Sequence, residues 1–337
     1  MTCEKYVELL KNMQKSKKCL KTLSEWYVPE ERIVVSVIVD VFNHAKYLRQ
    51  NLDSILSQKV CFNVEILVHD DCSTDGSQEI IKEYEKKFPN IIKPIYQTSN
   101  QFSQQIEIDS AYNYPRIAGD FVAMCEGDDY WCDERKLIKQ VSYLKKHKNV
   151  SAYVAKTIRL NLRDNKKGYY GLATDKFSKK YNLVDLVRGK DFSVSSLLAR
   201  KEYFQPPFPE FINLFTGFTD IQLGFYLTLH NKIYYDSHPM SVYRQYSSST
   251  SFTSTFSKLD DNAKLKTYEN RVKILELLLE ESPKKYWRII KKRIRQEKFT
   301  ILVIKNDVES LKSSDFIKLY KRKIRHEKIK RLLKIHR

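Results

Sequence analysis

The chain has 337 residues, of which 42% are hydrophobic and 12% aromatic, a composition typical of globular proteins that excludes fibrous and fully disordered classes. This length suits one α/β domain of roughly 200–250 residues with appendages. The formal net charge of +19 comes mostly from residues 284–337, which contain 20 Lys and Arg against five Asp and Glu.

The first 32 residues predict an N-terminal helical appendage, because Val7, Leu10 and Met13 recur at helical spacing. Regular charges leave no apolar segment like that of a signal peptide. No apolar run elsewhere approaches the roughly 18–20 residues that cross a bilayer. The six cysteines form no metal-ligand pattern, which predicts free thiols in a reducing compartment. These features predict a cytoplasmic protein.

Strands and helices are predicted to alternate from residue 33 onward. Residues 33–39 are β-branched and apolar on both faces, as in a central strand of a parallel sheet. The other predicted strands are residues 64–68, 91–97 and 121–125, and the predicted helices are residues 45–58, 78–88 and 106–114. This alternation predicts a doubly wound sheet whose ligands bind beyond the carboxyl ends of the strands.

Acidic clusters follow two of these strands, at Asp70-Asp71 and at residues 126–129, EGDD. Adjacent carboxylates repel each other, and their burial without a partner is costly. A divalent cation removes that cost, and oxygen ligands suit Mg²⁺ or Mn²⁺ with positions left for diphosphate oxygens. The alternative interpretation is a solvated turn that caps a helix at residues 133–146. Asp75, which stands just before a helix, is predicted to be a cap rather than a ligand.

Four segments, in order, resemble the family 2 glycosyltransferases: VSVIVDVFN at residues 35–43, DDCSTDGS at residues 70–77, EGDDYW at residues 126–131, and Thr219-Asp220. The resemblance implies an α/β fold of the GT-A type, a Rossmann-like mixed sheet flanked by helices with a C-terminal helical extension. It also implies an inverting transferase that uses a nucleotide-sugar donor.

The resemblance suggests three domains. Residues 1–32 are the helical appendage, and residues 33–258 are the catalytic domain. Within the latter, residues 33–130 bind the nucleotide-sugar and residues 131–258 bind the acceptor. Residues 259–337 form a basic helical extension.

Roles carry over by position. Phe42 resembles the aromatic residue that stacks on the donor base, and Asp71 the carboxylate that hydrogen-bonds the base. Asp128 resembles the residue near the donor ribose, and Asp129 the ligand of Mg²⁺ or Mn²⁺. Asp220 stands where the family has its general base; on sequence alone it could equally cap the helix that follows.

Several positions depart from the family pattern. Asp40, in the donor-binding segment, replaces Thr or Ser, and Phe42 replaces Tyr. Phe102 stands near the position of a glycine that often follows the third strand. Tyr246 replaces a histidine expected to assist the diphosphate, while Arg244 remains a charge-assisted donor to phosphate.

Donor and acceptor are predicted only by class. A carboxylate at Asp71 that meets an imide N–H favours a UDP- or dTDP-sugar. By resemblance, residues 191–196 line the acceptor side. The expected acceptor is a glycan or a lipid-linked hydroxyl in bacterial surface polysaccharide synthesis.

The basic extension leaves alternatives open. Trp287, Ile290 and Ile294 recur at near-helical spacing, which predicts amphipathic helices. They pack on the catalytic domain, or residues 284–337 bind an anionic membrane surface at the inner face of the cell membrane. No zinc-knuckle or RNP-like motif is present, so no nucleic-acid partner is expected.

The sequence leaves three rival functions to compare with a glycosyltransferase. A nucleotidyltransferase or a dinucleotide-dependent dehydrogenase is disfavoured, because residues 40–44 after the first strand contain no glycine. The third is a basic nucleic-acid- or membrane-binding protein on a catalytically inactive GT-A scaffold.

Overall fold

The structure, a computed structural model, describes residues 21–29, 31–171, 176–214, 219–246 and 260–324. The chain divides into two units, residues 1–255 and 256–337. Residues 1–20 of the predicted appendage and residues 325–337 of the basic extension lie outside the described residues.

Strands of the first unit form a mixed ten-stranded sheet and a small two-stranded sheet. The described strands are β1 (Lys21–Thr22), β2 (Ile33–Val41), β3 (Lys59–Val60), β4 (Asn63–Asp70), β5 (Ile92–Tyr96), β6 (Phe121–Met124), β7 (Tyr130–Trp131), β8 (Val150–Asn161), β9 (Lys167–Tyr170), β10 (Lys179–Tyr181), β11 (Leu198–Arg200) and β12 (Lys232–Gln245). The main sheet has the order β10-β12-β8-β11-β6-β2-β4-β5, with β7 paired to β12 and β9 to β8.

The sheet is flanked by helices. The described α-helices of this unit are α1 (Ala45–Leu56), α2 (Ser77–Lys87), α3 (Lys136–Lys146), α4 (Leu183–Val187), α5 (Glu210–Asn213) and α6 (Thr219–Leu229). The predicted GT-A-like arrangement, a mixed sheet with flanking helices, is therefore confirmed.

The parallel half of the sheet explains the apolar character of β2. Strands β6, β2, β4 and β5 are parallel neighbours. Val35, Val37 and Val39 are fully buried on one face of β2, and Val34 and Ile38 are buried on the other. A strand covered on both faces needs the continuous β-branched sequence found here.

One edge of the sheet collects the carboxyl ends of several strands. Strand β11 runs antiparallel to both β6 and β8, and β12 runs parallel to β8. Strands β2, β4, β6 and β12 therefore end at the same edge, as the sequence predicted for the first three. The residues that follow β2, β4 and β6 include Phe42, Asp71 and residues 126–129.

The predicted helix at residues 106–114 is wrong. The chain instead forms a five-residue π-helix, Asp109–Asn113, followed by the 3-10 helix Tyr114–Arg116. Pro115 has no amide hydrogen to continue an α-helix. The side chains of Asp109 and Asn113 also hydrogen-bond to each other, and Asn113 donates to Asp40 on β2. Single π turns of this kind often accompany functional sites.

The described part of the second unit is helical. Its helices are α7 (Asp261–Glu281), α8 (Lys284–Ile304) and α9 (Val308–Lys312). Helices α7 and α8 pack against each other, and ion pairs join Lys298 to Glu276 at 2.7 Å and Lys305 to Glu269 at 3.1 Å. No helix among the described residues is long and apolar enough to span a bilayer.

Candidate active site

The loop after β2 is fastened to the loop after β4. Asn43 adopts a left-handed conformation, with φ of 56°, which asparagine tolerates better than most residues. Its backbone N–H donates to Ser73 Oγ at 2.9 Å, and its side-chain oxygen accepts from the Thr74 amide at 2.8 Å. These reciprocal bonds hold Phe42, which is half-buried, beside the segment that contains Asp71.

Asp75 is a cap, as predicted, and it serves two helices. Its Oδ1 accepts the Ser77 amide at 3.0 Å at the start of α2. Its Oδ2 accepts the Ala45 amide at 2.9 Å at the start of α1. Both carboxylate oxygens therefore satisfy helix N-terminal amides.

The two aspartates at the end of β4 accept hydrogen bonds from different parts of the backbone. Asp70 Oδ1 accepts from the Ser73 amide at 3.0 Å and so shapes its own turn. Asp71 is buried, and its two oxygens accept the amides of Gln101 at 2.7 Å and Phe102 at 3.2 Å. Asp71 thereby fixes the loop that presents Phe102, whose side chain is 55% exposed.

Gly127 brings the EGDD segment close to β2. Its amide donates to the Asp40 carbonyl at 2.9 Å. A Cβ atom at this position would lie 2.7 Å from His44 Nδ1 and 2.9 Å from the Asp40 carbonyl oxygen, closer than side chains allow. Glycine is therefore required here, and it places Asp128 and Asp129 directly beyond the end of β2.

Asp129 is buried and hydrogen-bonded from both sides. Ser195 Oγ donates to its Oδ2 at 2.6 Å, and the Arg244 amide donates to its Oδ1 at 2.9 Å. Burial, followed by the charge of Asp128, raises the pKa of Asp129 well above its usual range. The two hydrogen bonds lower this pKa, but their effect is smaller. The sequence did not indicate that Ser195 contacts this carboxylate, since the two residues are far apart in the chain.

Arg244 is buried and makes contacts within the protein. Its guanidinium group donates to the Asp128 carbonyl and to Gln50 Oε1. The same group lies between two aromatic rings, 4.8 Å from the Tyr47 centroid and 4.5 Å from the Tyr130 centroid. In this structure Arg244 supports the backbone of Asp128.

Asp40 pairs with a carboxyl group that the sequence did not single out. Asn113 Nδ2 donates to Oδ1 of Asp40 and Oδ1 of Asp109, at 2.9 Å in each case. Burial raises the pKa of both carboxyl groups well above the usual range, and the charge of Glu126 adds to the effect on Asp40. The only feature of the sequence that pointed to this pair was the presence of Asp40 where the family has Thr or Ser.

Carboxylates from several structural elements lie near Glu126. Its pKa is raised well above the usual range, first by burial and then by neighbouring carboxylates, those of Asp128, Asp109, Asp129 and Asp220. Residues from the β6 end, the π-helix and the start of α6 thus share one electrostatic environment.

Asp220 lies in the first turn of α6 and is half-buried. Its Oδ1 accepts the Ile221 amide at 2.8 Å, which agrees with a role at the helix N-terminus. Its charge nevertheless adds to the effect of burial at two other residues, where it raises the pKa of Glu126 and of Tyr170. A capping contact and a position in the acidic cluster therefore coexist.

The donor set fits a divalent cation that a substrate completes. Among the residues that the structure describes, no three or more His, Cys, Asp or Glu side chains are grouped closely enough to hold an ion by themselves. Mg²⁺ is commonly held by one or two carboxylates plus substrate phosphates. Asp129 has two more lone-pair sites, and Asp128 is only half-buried, so these two carboxylates suit such a shared site.

The fold and the acidic edge agree with a comparison against family models. The model described as "Glycosyl transferase family 2" matches residues 36–205, about half of the chain. The chain belongs to this family, as its motifs predicted. Asp220 and Arg244 lie beyond the matched residues.

Curated relatives match only in part. The putative glycosyltransferase EpsE of Bacillus subtilis is 35% identical over 115 residues, which cover 34% of this chain and 40% of that protein. The putative teichuronic acid biosynthesis glycosyltransferase TuaG of the same organism is 32% identical over 111 residues, 33% of this chain and 42% of that protein. The chain thus spans less than half the length of these relatives.

Solved structures share the fold. S. aureus TarS 1–349, in complex with UDP-GlcNAc, has a TM-score of 0.61 at 16% identity and covers 80% of this chain and 73% of that chain. The mannosyltransferase PcManGT from Pyrobaculum calidifontis, in complex with GDP-Man and Mn²⁺, has a TM-score of 0.51 at 14% identity, covering 92% of this chain and 83% of that chain. At these identities the likeness establishes the fold alone.

Proposed function

We propose that this glycosyltransferase moves a sugar from a UDP- or dTDP-sugar to a hydroxyl group of a glycan or lipid-linked acceptor, with inversion, and that it depends on Mg²⁺ or Mn²⁺. The observation that carries the proposal is the convergence of carboxylates on Glu126, whose pKa is raised by Asp128, Asp129 and Asp220 after burial. A protein gains nothing in stability from such mutual repulsion, so a cationic ligand is the simplest reason for it.

The donor half of the proposal concerns the edge formed by β2 and β4. Phe42 is half-buried at the end of β2, where one ring face can receive a base. Asp71 lies beyond the neighbouring strand, and its lone pairs that do not face Gln101 and Phe102 can accept an imide N–H. The complex of TarS with UDP-GlcNAc supports a uridine donor.

Asp129 would hold the cation, with Asp128 beside it near the donor ribose. Once bound, a divalent cation neutralises the charge that develops on the departing diphosphate. The Mn²⁺ in the complex of PcManGT supports this assignment. Two N–H donors of the Arg244 guanidinium group go to the Asp128 carbonyl and to Gln50, and its remaining N–H donors are proposed to bind the diphosphate of the donor.

Asp220 is proposed as the general base. In a single displacement, the acceptor hydroxyl gives its proton to a carboxylate while its oxygen attacks the anomeric carbon from the face opposite the diphosphate. The C1–O bond to the diphosphate breaks as the new glycosidic bond forms, which inverts the anomeric configuration. Asp220 lies in the first turn of α6, which follows the donor-binding strands in the chain, and its side chain is half-buried.

The acceptor is proposed from the relatives. TuaG is named for teichuronic acid biosynthesis and GgaA of Bacillus subtilis for minor teichoic acid biosynthesis. These names support an acceptor in bacterial surface polysaccharide synthesis.

A panel of nucleotide-sugars tests the proposal. The wild-type chain, incubated with each donor and Mn²⁺, should release nucleoside diphosphate from one donor class and should stop when the cation is chelated. Release that continues in chelator would remove the cation from the mechanism. No release from any donor, with or without bacterial glycan acceptors, would favour the inactive-scaffold alternative.

The basic extension remains proposed as an electrostatic contact to an anionic membrane surface. Four exposed cations lie on one face of α8 at intervals of three and four residues: Lys284, Arg288, Lys291 and Arg295. None has a carboxylate ion-pair partner among the residues described. Ile290 and Ile294, on the apolar face, are buried, so the contact would rest on charge, worth about 1 kcal/mol per cation near such a surface.

Vesicle co-sedimentation tests the membrane contact. The full chain should bind vesicles containing phosphatidylserine but not neutral ones, and replacement of these four cations by Gln should abolish binding. A matched control replaces Lys82, Lys86 and Lys87, exposed on α2, by Gln. Equal recovery with both vesicle types would end this part of the proposal, and preferential binding to duplex DNA would support the nucleic-acid alternative.

A further inference from the structure

The segment of residues 193–197 is held in place by hydrogen bonds to its backbone carbonyl groups. Three buried side chains donate to the carbonyl oxygens of successive residues: Trp131 Nε1 to Ser195 at 2.8 Å, Gln140 Nε2 to Ser196 at 2.8 Å, and Lys136 Nζ to Leu197 at 3.2 Å. Because each carbonyl has its own donor, neither sliding nor rotation of the segment preserves all three bonds.

The three donors also contact one another. Lys136 Nζ donates to Gln140 Oε1 at 3.0 Å and lies 4.1 Å from the centroid of the Trp131 ring. Lys136 and Gln140 are one helical turn apart on α3, and both are fully buried. The group therefore acts as one rigid clamp, which we name the α3 clamp: Trp131, Lys136 and Gln140.

The α3 clamp places one hydroxyl group against the acidic cluster. Ser195 is fully buried, and its Oγ donates to Asp129 Oδ2 at 2.6 Å. The Glu126 amide donates to Ser195 Oγ at 3.4 Å. With the Arg244 amide on Oδ1, the Asp129 carboxylate has one donor on each oxygen, which fixes its plane.

The geometry points to Ser195 as a positioning residue that orients Asp129 for the cation, held in place by the α3 clamp. This inference rests on the proposed function, since it gives Asp129 a cation to bind. Hydrogen bonds from outside the ligand set fix the orientation of a metal-binding carboxylate, and their loss typically weakens metal binding about 10–100-fold. Ser195 also lies in the segment expected to line the acceptor side, so one hydroxyl ties that segment to the proposed cation site.

The neighbouring serine provides a matched control. Ser196 is equally buried, but its hydroxyl group donates to the Ser193 carbonyl at 2.8 Å, within its own segment. Ser195→Ala and Ser196→Ala thus each remove one buried hydroxyl and the hydrogen bond that it donates, both from the 3-10 helix Val194–Ser196; Ser195→Ala also removes the long contact from the Glu126 amide, at 3.4 Å. They differ in whether the bond reaches Asp129.

The experiment measures Mn²⁺ binding by calorimetry in the presence of UDP, together with the Mn²⁺ concentration that gives half-maximal donor hydrolysis. Ser195→Ala should weaken Mn²⁺ binding about tenfold and raise the half-maximal concentration in parallel. Ser196→Ala should stay within about twofold of wild type. Thermal unfolding of both variants should show similar losses of stability, since both lose one buried hydrogen bond.

If the wild type binds Mn²⁺ and UDP but the two variants have equal Mn²⁺ affinities, the inference about Ser195 is overturned and the proposed function is not. A wild type that binds neither Mn²⁺ nor UDP would overturn the proposed function and the inference with it. If Ser195→Ala does not fold, Ser195→Cys takes its place, because a thiol of similar shape is a much weaker donor. Wild-type Mn²⁺ affinity in Ser195→Cys would also overturn the inference.

Discussion

Asp40 and Asp109 face each other across one amide group, with Asn113 Nδ2 at 2.9 Å from Oδ1 of each. Burial raises the pKa of both carboxyl groups well above their usual range. Two like charges this close cannot both ionise at low cost, so the pair keeps a proton at pH values where free aspartates have lost theirs. The folded chain then binds more protons than the unfolded chain, and stability falls as pH rises above about 4 through the raised pKa values.

Asp109→Asn should therefore stabilise the protein at neutral pH. The amide keeps an oxygen acceptor for Asn113 and carries no charge to repel Asp40. A shift of one pKa unit corresponds to about 1.4 kcal/mol, so the free energy of unfolding at pH 7 should rise by about that amount or more, and the gain should shrink towards pH 4. Chemical denaturation at several pH values measures it. Asp120→Asn, which alters a surface ion pair with Arg32, is the control and should show little change. A gain that grows as pH falls would contradict the proton-sharing pair.

Lys136 is expected to give the protein a second pH dependence, at higher pH. Burial lowers the pKa of this lysine to about 7 from its ordinary value of 10.5. Above pH 7 the unfolded chain still binds this proton while the folded chain has released it, so stability should rise with pH in the window from about 7 to 10.5. Below pH 7 both states are protonated, and the cost of the buried charge is fully present.

Lys136→Met isolates that contribution. Relative to Lys136→Met, the wild-type free energy of unfolding should increase by about 1.4 kcal/mol per pH unit between pH 7 and 9, measured by urea denaturation. Lys139→Met, on the same helix but exposed and paired with Asp133, should leave the slope unchanged. Parallel pH profiles of wild type and Lys136→Met would show that Lys136 keeps its ordinary pKa.

Local sequence patterns predicted the strands and helices that depend mainly on short-range interactions. The apolar, β-branched strand before Asp40, the helices on either side of Asp75, and the acidic residues at strand ends all follow from short-range propensity and period. The helix predicted at residues 106–114 failed because Pro115 and the bonds of Asn113 to a distant strand outweighed the local pattern.

Contacts between distant segments could not be predicted in this way. The hydroxyl of Ser195 meets Asp129, and the amide of Arg244 meets the same carboxylate, only because β6, β11 and β12 come together in the sheet. The guanidinium of Arg244 was predicted to contact phosphate, whereas its position between Tyr47 and Tyr130 depends on tertiary packing. Charge and residue type predicted candidate site residues, but only the fold shows which of these groups are hydrogen-bonded to one another.

Asp75→Ala should cost about 1–2 kcal/mol of stability per cap lost, and this residue caps both α1 and α2. The expected decrease in the free energy of unfolding is therefore about 2–4 kcal/mol, measured by urea denaturation. Asp164→Ala is a matched control, because Asp164 accepts a turn amide, that of Lys166 at 3.0 Å, and forms an exposed ion pair with the same lysine at 3.6 Å, with no helix to cap. A loss no larger than that of the control would mean that the Ala45 and Ser77 amides find solvent at no cost.

Asp220→Asn should abolish sugar transfer while leaving donor affinity within about twofold of wild type. The amide oxygen of Asn can still accept the Ile221 amide, now at 2.8 Å from Asp220, so α6 keeps its first turn and the loss cannot be assigned to a lost cap. What the variant lacks is a group that can take a proton from the acceptor hydroxyl, and removal of a general base typically costs about 10²–10⁴-fold in rate. Transfer rates with acceptor and calorimetric titration of the donor separate the two effects. A large loss of donor affinity would reassign Asp220 to the donor side, and wild-type transfer would place the base elsewhere in the acidic cluster.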